Sequence, residues 1–423
     1  MTWTLKTRRF FDGERLHADG LTAITIRGDR VADVSVRSGQ GQGGAMDRPK
    51  DRANDSADTQ PLDASSLTIL PGLIDAHFHP VSASFDIAAI DRSHPSLRAL
   101  DAGRHLEAAL FRGFTTVRDA GGGDIGLVRA LEQGLIRGPR MLMAGKALSQ
   151  TGGHGDMRAA DAVPLCSCGY TGALSALVDG PDQMRKAVRD QLREGATHIK
   201  LFVSGGVLSP TDPIWMNQFA DAEIRAAVEE AATRRTYVMA HAHTAEAVRR
   251  CVRNGVRSIE HGTLMDRESA DIVATAGAFV VPTLAVVDVL RQNPARLPPG
   301  AAEKLGAIAD RNLESLALCV AAGTKIGFGT DLFGELRDRQ GHEFLARGRV
   351  QPPLDVIRSA TRVNAELVNL EGHIGTIAPG AFADIIGVAG DPFEDLNVLG
   401  DPARFLKLII RGGDIVMNRM MPS

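Results

Sequence analysis

The 423-residue chain is short of several things, and each shortage excludes a class of function. Cysteine occurs only as Cys166, Cys168, Cys251 and Cys319. That is too few for a disulfide framework, so a reduced, cytoplasmic protein is expected. Aromatic side chains make up 4% of the residues, too few for base-stacking platforms. Neither sign of charge dominates: 48 basic against 51 acidic side chains leave −3, with no basic stripe for phosphates. A nucleic-acid partner is therefore not expected. No run approaches the roughly 20 apolar residues of a membrane helix, and no membrane role is expected. The N-terminus, MTWTLKTRRFFDGERLHADG, puts charges where a signal peptide has its apolar core. Arg8-Arg9 could open a twin-arginine signal, but Glu14 and Arg15 interrupt any apolar region behind it.

What the chain does have is apolar content, 44% besides its 45 glycines. That rules out disorder over the whole chain and suffices for one large domain of roughly 250–300 residues plus a smaller one. Near the N-terminus, LKTRRF and TAITIRGDRVADVSV alternate apolar and polar residues and read as β-structure. Residues 38–63 are rich in Gly, Asp and Ser, which suggests a mobile surface loop without chemistry. AFADIIGVAG and FLKLIIRGGDIVMN at the other end again look like strands with Gly turns. The two ends are thus expected to pair into one small β-domain, residues 1–70 and 372–423.

Between them, over 71–371, the texture changes to strand, loop and helix in rotation. Eight short apolar strands are expected, in LTILPGLIDAHFH, TTVRDAG, RMLMAG, THIKLFVSG, TYVMAHAH, SIEHG, AFVVPTL and KIGFGTD. The segments between are Ala-, Leu-, Glu- and Arg-rich at helical spacing, as in 221–235 and 301–323. Alternating β and α eight times over at this size predicts a (β/α)8 TIM barrel, with the small domain as a β-sandwich.

Most of these strands end in a residue able to bind a metal or move a proton. His77 and His79 end the first, Lys200 lies on the fourth, His241 and His243 end the fifth, Glu260 and His261 the sixth, and Asp331 the eighth. The C-terminal rim of such a barrel is where active sites are built, so these segments converge. In a strand, residues i and i+2 face one side, which lets His77 and His79 bind one metal together. Of His241 and His243, adjacent imidazoles need not both be ligands. A lone ammonium at Lys200 inside a barrel is costly unless paired or altered. It can reach the rim and pair with an acid, or it can take up CO2 to form a carbamate that bridges two metals. Four converging histidines favour the ligand reading. Asp331 alone could cap the next helix, and beside a metal pair it becomes a ligand and base. Imidazole nitrogens with carboxylate oxygens suit Zn2+ first, with Mn2+, Co2+ or Fe2+ as other options.

The run ILPGLIDAHFHP with Lys200, His241, SIEHG and GTD resembles the metal-dependent amidohydrolase superfamily, from about residue 64 to the C-terminus. SQTGGHGD, KLFVSGGVLSP and AHAHTAEAV resemble its imidazolonepropionase-related branch. That branch holds Xaa-Pro dipeptidases, carboxypeptidase-like dipeptidases and ochratoxin-hydrolysing amidohydrolases. The resemblance implies His77 and His79 on one divalent metal and His241 and His261 on the other. A carboxylated Lys200 would lie between them, with Asp331 as ligand and base. It places His154 and His243 near the substrate, where either could donate to the oxyanion. It also implies a homo-oligomer acting on a small-molecule amide or dipeptide and releasing a C-terminal amino acid. The insertion at 38–63 departs from the usual compact sandwich loop.

The carboxylate of that amino acid needs donors, and Arg118 in TTVRDAG and Arg158 after GGHGD are the candidate cations. Cys166 and Cys168 in CSCGY can be incidental lining of the same loop. The alternative enzyme is a cyclic-amide hydrolase or deaminase such as an imidazolonepropionase, and the mononuclear form needs no strand-4 lysine ligand. A non-catalytic scaffold should lack ligands, and every expected ligand is present.

Overall fold

A computed structural model describes residues 1–38, 61–160 and 172–420. Eight parallel positions form the barrel. The first two strands are Leu73–Phe78 and Phe114–Asp119. Strands four to eight are Ile199–Phe202, Val238–Thr244, Ser258–Leu264, Phe279–Val281 and Lys325–Ile326. The first, second and fourth are buried along their whole length, which is why they read as near-continuous apolar runs. The helices between them carry an apolar stripe. In Asp221–Thr233, Ile224, Ala227 and Ala231 are buried, and Glu223 accepts the Ala220 N–H at 2.6 Å to close the first turn.

The third position differs from the sequence expectation. RMLMAG supplies only its first half, Arg140–Leu142, paired with the second strand. The second half, Ala147–Ser149, pairs with the fourth. Between them Gly145 turns the chain at φ +74°, and the Asp119 carboxylate accepts the Ala144 N–H at 2.9 Å where the ladder is interrupted. A short strand that the sequence rhythm does not mark, Ser175–Leu177, pairs in parallel with Ala147–Ser149. The segment 301–323 likewise forms two helices, Ala301–Ala309 and Asn312–Ala322. The barrel closes where the Ala76 N–H donates to the Phe328 carbonyl (2.8 Å) and the Asp331 N–H to the His77 carbonyl (2.9 Å).

Both chain ends build two sheets. One orders Arg30–Ser38, Gly20–Arg27, Thr2–Thr7 and Leu62–Asp63. The other sets Thr68–Pro71 antiparallel to Ile385–Val388, which pairs in turn with Leu406–Arg411. Leu5, Ile24 and Ile26 from the first sheet share one core with Phe10, Ile69, Ile385 and Leu408 from the second, the packing of a sandwich. Of the segment 38–63, Leu62–Asp63 is a strand end and residues 39–60 lie outside the described residues. No helix among the described residues is long and apolar enough to cross a membrane.

Gly329 stands at the closure. A Cβ there would meet the His77 Cβ and the Val281 Cγ1 at 2.6 Å and the His77 backbone nitrogen at 2.8 Å. Gly329→Ala is expected to cost about 1–3 kcal/mol by overpacking. Thermal unfolding should show a Tm roughly 2–10 °C lower, and an unchanged Tm would show that the seam has room to spare.

Candidate active site

A cavity of about 860 Å3, measured out to its mouth, opens at the C-terminal rim of the barrel. His77, His79, Lys200, His241, His243, His261 and Asp331 line it, with His154 from the loop after the third strand. Every rim residue expected to ligate a metal therefore meets in one place, because each lies on or just after a parallel barrel strand. The wall above is apolar and comes from the βα loops. Val286, Val287 and Leu290 sit on the helix Leu284–Gln292, Leu305 and Ile308 on Ala301–Ala309, and Phe333 follows the eighth strand.

Five histidines on the cavity floor each have one ring nitrogen engaged. His79 Nδ1 faces the Gly121 carbonyl (2.9 Å) and His241 Nε2 the Gly205 carbonyl (3.1 Å). A carbonyl can only accept, so those nitrogens carry a proton, and in the uncharged ring the other nitrogen, His79 Nε2 or His241 Nδ1, is the one able to ligate. His77 Nδ1 donates to the Glu260 carboxylate at 2.7 Å, which leaves its Nε2 facing Asp331. His243 and His261 bind the hydroxyls of Thr263 and Thr283 through Nδ1, both at 2.7 Å. This is how imidazoles are oriented for a metal. The ligand atoms of His77, His261 and Asp331 lie within 4.8 Å of one another, so these three could hold a metal ion.

The charges fit a cation. Asp331 Oδ1 lies 3.4 Å from His77 Nε2 and 3.2 Å from His79 Nε2. Burial alone would raise the Asp331 carboxyl, but the charge of His77 and hydrogen bonds from His77 and His79 hold it well below the usual range. Burial and Lys200 push the His77 imidazole down, and the carboxylates of Asp331 and Glu260 more than offset them. Burial first, then the neighbouring imidazoles, keep His241 far below its ordinary value. Lys200 is 1% exposed and donates no hydrogen bond to any described residue, its Nζ standing 5.5 Å from the Phe202 ring centre. Burial brings its ammonium down to about 8, partly opposed by Glu260 and Asp331.

The backbone beneath the site is strained. His261, Thr283 and Asp331 adopt φ of +74°, +48° and +56°, the left-handed region that non-glycine residues avoid at about 1–3 kcal/mol each.

Two arginines do not take the place considered for them. Arg118 is fully buried inside the barrel. Its Nε donates to the Ala76 carbonyl (2.6 Å), and Nη2 donates to Glu260 Oε1 (2.9 Å) and Oε2 (3.1 Å). Ser258 Oγ also donates to Glu260 Oε1, at 2.5 Å. Arg118 holds a carboxylate of the protein rather than one of a substrate. Arg158 forks onto Asp156 through Nε (2.7 Å) and Nη2 (2.6 Å) and is not among the cavity lining. Among the described residues, Lys200 is the only lysine or arginine lining the cavity. Cys166 and Cys168 lie outside the described residues. Cys251 and Cys319 are buried free thiols, pushed up to about 12 by burial. Along the chain Glu260 shows only as a rim residue without a partner. The signal for its role is the period-2 spacing of Ser258 and Glu260, which points both into the barrel beside Arg118.

The amidohydrolase family model matches residues 68–416, and the chain belongs to that family. It is 32% identical to an ochratoxinase of Aspergillus niger over 349 residues, 79% of this chain and 72% of that protein. Among solved structures it is similar to a prolidase complexed with N-methylphosphonate-L-proline, at 42% identity and a TM-score of 0.90, covering 99% of this chain and 100% of that one. A Xaa-Pro dipeptidase with methionine bound in its active site matches at 29% identity and a TM-score of 0.86, with the same coverage. These likenesses agree with the barrel and with a hydrolase acting on amide bonds.

Glu260→Gln leaves Arg118 buried with half its partner gone and is expected to destabilise the chain by about 3–5 kcal/mol. Denaturant unfolding would measure this, and a change under 1 kcal/mol would show that Arg118 finds another acceptor. Acid acts through the histidines. Burial holds both His198 and His243 at about 3, whereas in an unfolded chain they protonate near 6.5. The folded chain binds fewer protons between those values, so this part of the stability is complete above 6.5 and is lost as pH falls toward 3. The metal-free protein should therefore unfold at lower denaturant at pH 5.5 than at pH 7.5.

Proposed function

We propose that this amidohydrolase cleaves the amide bond to a C-terminal amino acid. It would act as a dipeptidase or carboxypeptidase-like enzyme on Xaa-Pro or N-acyl amino acid substrates, ochratoxin A (giving ochratoxin alpha and phenylalanine) among them. The observation that carries the reading is Lys200, a buried amine that donates to no acceptor among the described residues and lines the cavity with five floor imidazoles and the Asp331 carboxylate. An uncharged amine is the form that adds CO2, releasing a proton, and a carbamate there would turn the amine into an oxygen ligand.

By their donor chemistry the residues would suit two divalent metal ions, Zn2+ first. His77 and His79 would hold one and His241 and His261 the other, with the Lys200 carbamate between them and Asp331 as a further ligand. Once bound, the pair would supply a nucleophile at neutral pH and a Lewis acid for the scissile carbonyl. Asp331, kept ionised, takes a proton from the nucleophile and returns it to the leaving nitrogen. His154 and His243 line the cavity beside the substrate, with His243 as the donor for the reacting oxygen. The apolar wall excludes water and receives an apolar group of the substrate. The ligands of the two solved relatives, a proline phosphonate and methionine, are amino-acid derivatives and support an amino acid as product.

Elemental analysis of protein purified without chelator, paired with a Xaa–amino-acid dipeptide panel and ochratoxin A, tests the reading. About two zinc-like ions per chain with release of a free amino acid are expected. Lys200→Ala should then hold less metal and lose at least about 100-fold in kcat/KM. One ion, no dipeptide cleavage and an active Lys200→Ala would point instead to a cyclic-amide hydrolase or deaminase.

A further inference from the structure

Behind His154 lies a charged cluster that the reaction as described does not use. Asp212, in the loop after the fourth barrel strand, is fully buried. Its Oδ2 accepts the Gly206 N–H (3.1 Å) and the Gln218 Nε2 (3.2 Å) and lies 3.6 Å from His154 Nδ1. Its Oδ1 has no hydrogen-bond partner among the described residues, and the Lys304 ammonium stands 3.9 Å from it. A fully buried carboxylate with one oxygen unbonded is a costly structural element. Its effect falls on the imidazole beside it.

His154 is held on three sides. Its backbone N–H donates to Gln218 Oε1 (2.9 Å), and its ring stacks on His241 with centroids 4.4 Å apart. Its Nδ1 meets Ser209 Oγ at 2.8 Å. Ser209 gives its own proton to the Gly206 carbonyl (3.3 Å), so toward His154 it is an acceptor. Both polar neighbours of Nδ1, Ser209 and Asp212, therefore accept, which places the ring proton on Nδ1. Gly206 packs against the ring so closely that a Cβ there would collide with it. Lys304 donates to the Gly206 and Ser209 carbonyls (3.1 and 2.7 Å), tying this loop to the helix that carries Leu305 and Ile308 into the cavity wall.

We propose that Asp212 is a positioning residue for the reaction: with Ser209 it fixes the His154 proton on Nδ1 and holds the ring against His241, so that Nε2 meets the substrate with its lone pair, as an acceptor and not as a donor to the oxyanion. This rests on the amide-hydrolase reading above and adds the support that makes His154 part of it. Removing such a support in a metal site typically lowers activity about 10- to 100-fold.

The test uses the metal-loaded full chain and the best substrate of the dipeptide panel. Asp212→Asn should lower kcat by that factor with KM within about threefold, while metal content and Tm stay at wild-type values. Combined with His154→Ala it should cost no more than His154→Ala alone, since both act through one ring. Ser209→Ala removes the second acceptor without touching the charge. It should lower kcat in the same sense by less, which keeps the test open if Asp212→Asn does not fold. Nitrogen-15 histidine spectra, with the His154 signal assigned by its loss in His154→Ala, should show the Nδ1-protonated ring in the wild type and its loss in Asp212→Asn. Additive losses in the double variant, metal loss in Asp212→Asn, or an unchanged His154 spectrum would each overturn the proposal. A wild-type protein that hydrolyses no amide would refute the function, while the spectra would still decide the contact between Asp212 and His154.

Discussion

Inside the barrel, a carboxylate and a guanidinium are buried completely against each other. Glu260 and Arg118 have no access to water, and either one alone would be left uncompensated at a cost of several kcal/mol. Glu260 Oε2 also accepts from His77 Nδ1, which turns the His77 Nε2 to Asp331. The His77 carbonyl in turn receives the Asp331 N–H, one of the bonds that join the first and last strands. The ion pair, the closure of the barrel and the orientation of the first rim imidazole therefore form one object. A disturbance of the pair would be felt at the rim, because Glu260 and His261 are neighbours on one strand.

The cavity divides by origin. Its floor consists of strand ends, where backbone ladders hold histidines in fixed relation and where three residues keep left-handed backbone. Its walls come from loops. The wall helix Leu284–Gln292 begins at Thr283, the residue that also orients His261, and its first turn is pinned by the buried Glu343, which accepts the Ala285 N–H at 2.6 Å. Burial pushes the Glu343 carboxyl up to about 8, with Arg347 opposing. Floor and wall are thus mechanically joined at Thr283. The floor brings the polar side chains together, and the wall gives the cavity its apolar shape.

Much of the rim was readable along the chain because each residue announces itself at the end of a short apolar run. His77, His79, Lys200, His241, His261 and Asp331 needed only the rule that the rim of a parallel barrel gathers strand ends. The broken third strand was not readable, since Gly145 and the Asp119 carboxylate that rescues the Ala144 N–H lie 26 residues apart and act only when folded together. Arg118 was read as a cation for the substrate because its partner, Glu260, is 142 residues away. Arg158 and Asp156 are two residues apart, but nothing in the string GDMR shows that the pair forks together rather than facing the cavity.

By itself, the sequence determined the alternation of strands and helices, the pairing of the two chain ends into a sandwich, and which side chains stand at the strand tips. Those follow from local periodicity and from the short reach of turn residues, which act within a few positions of themselves. The tertiary structure alone decided which nitrogen of each imidazole faces the cavity, which arginine is spent on an internal carboxylate, and how Asp212 comes to stand behind His154. Those outcomes are set by hydrogen bonds between residues distant in the chain, and by burial, which gives a charge its cost only once its neighbours are in place.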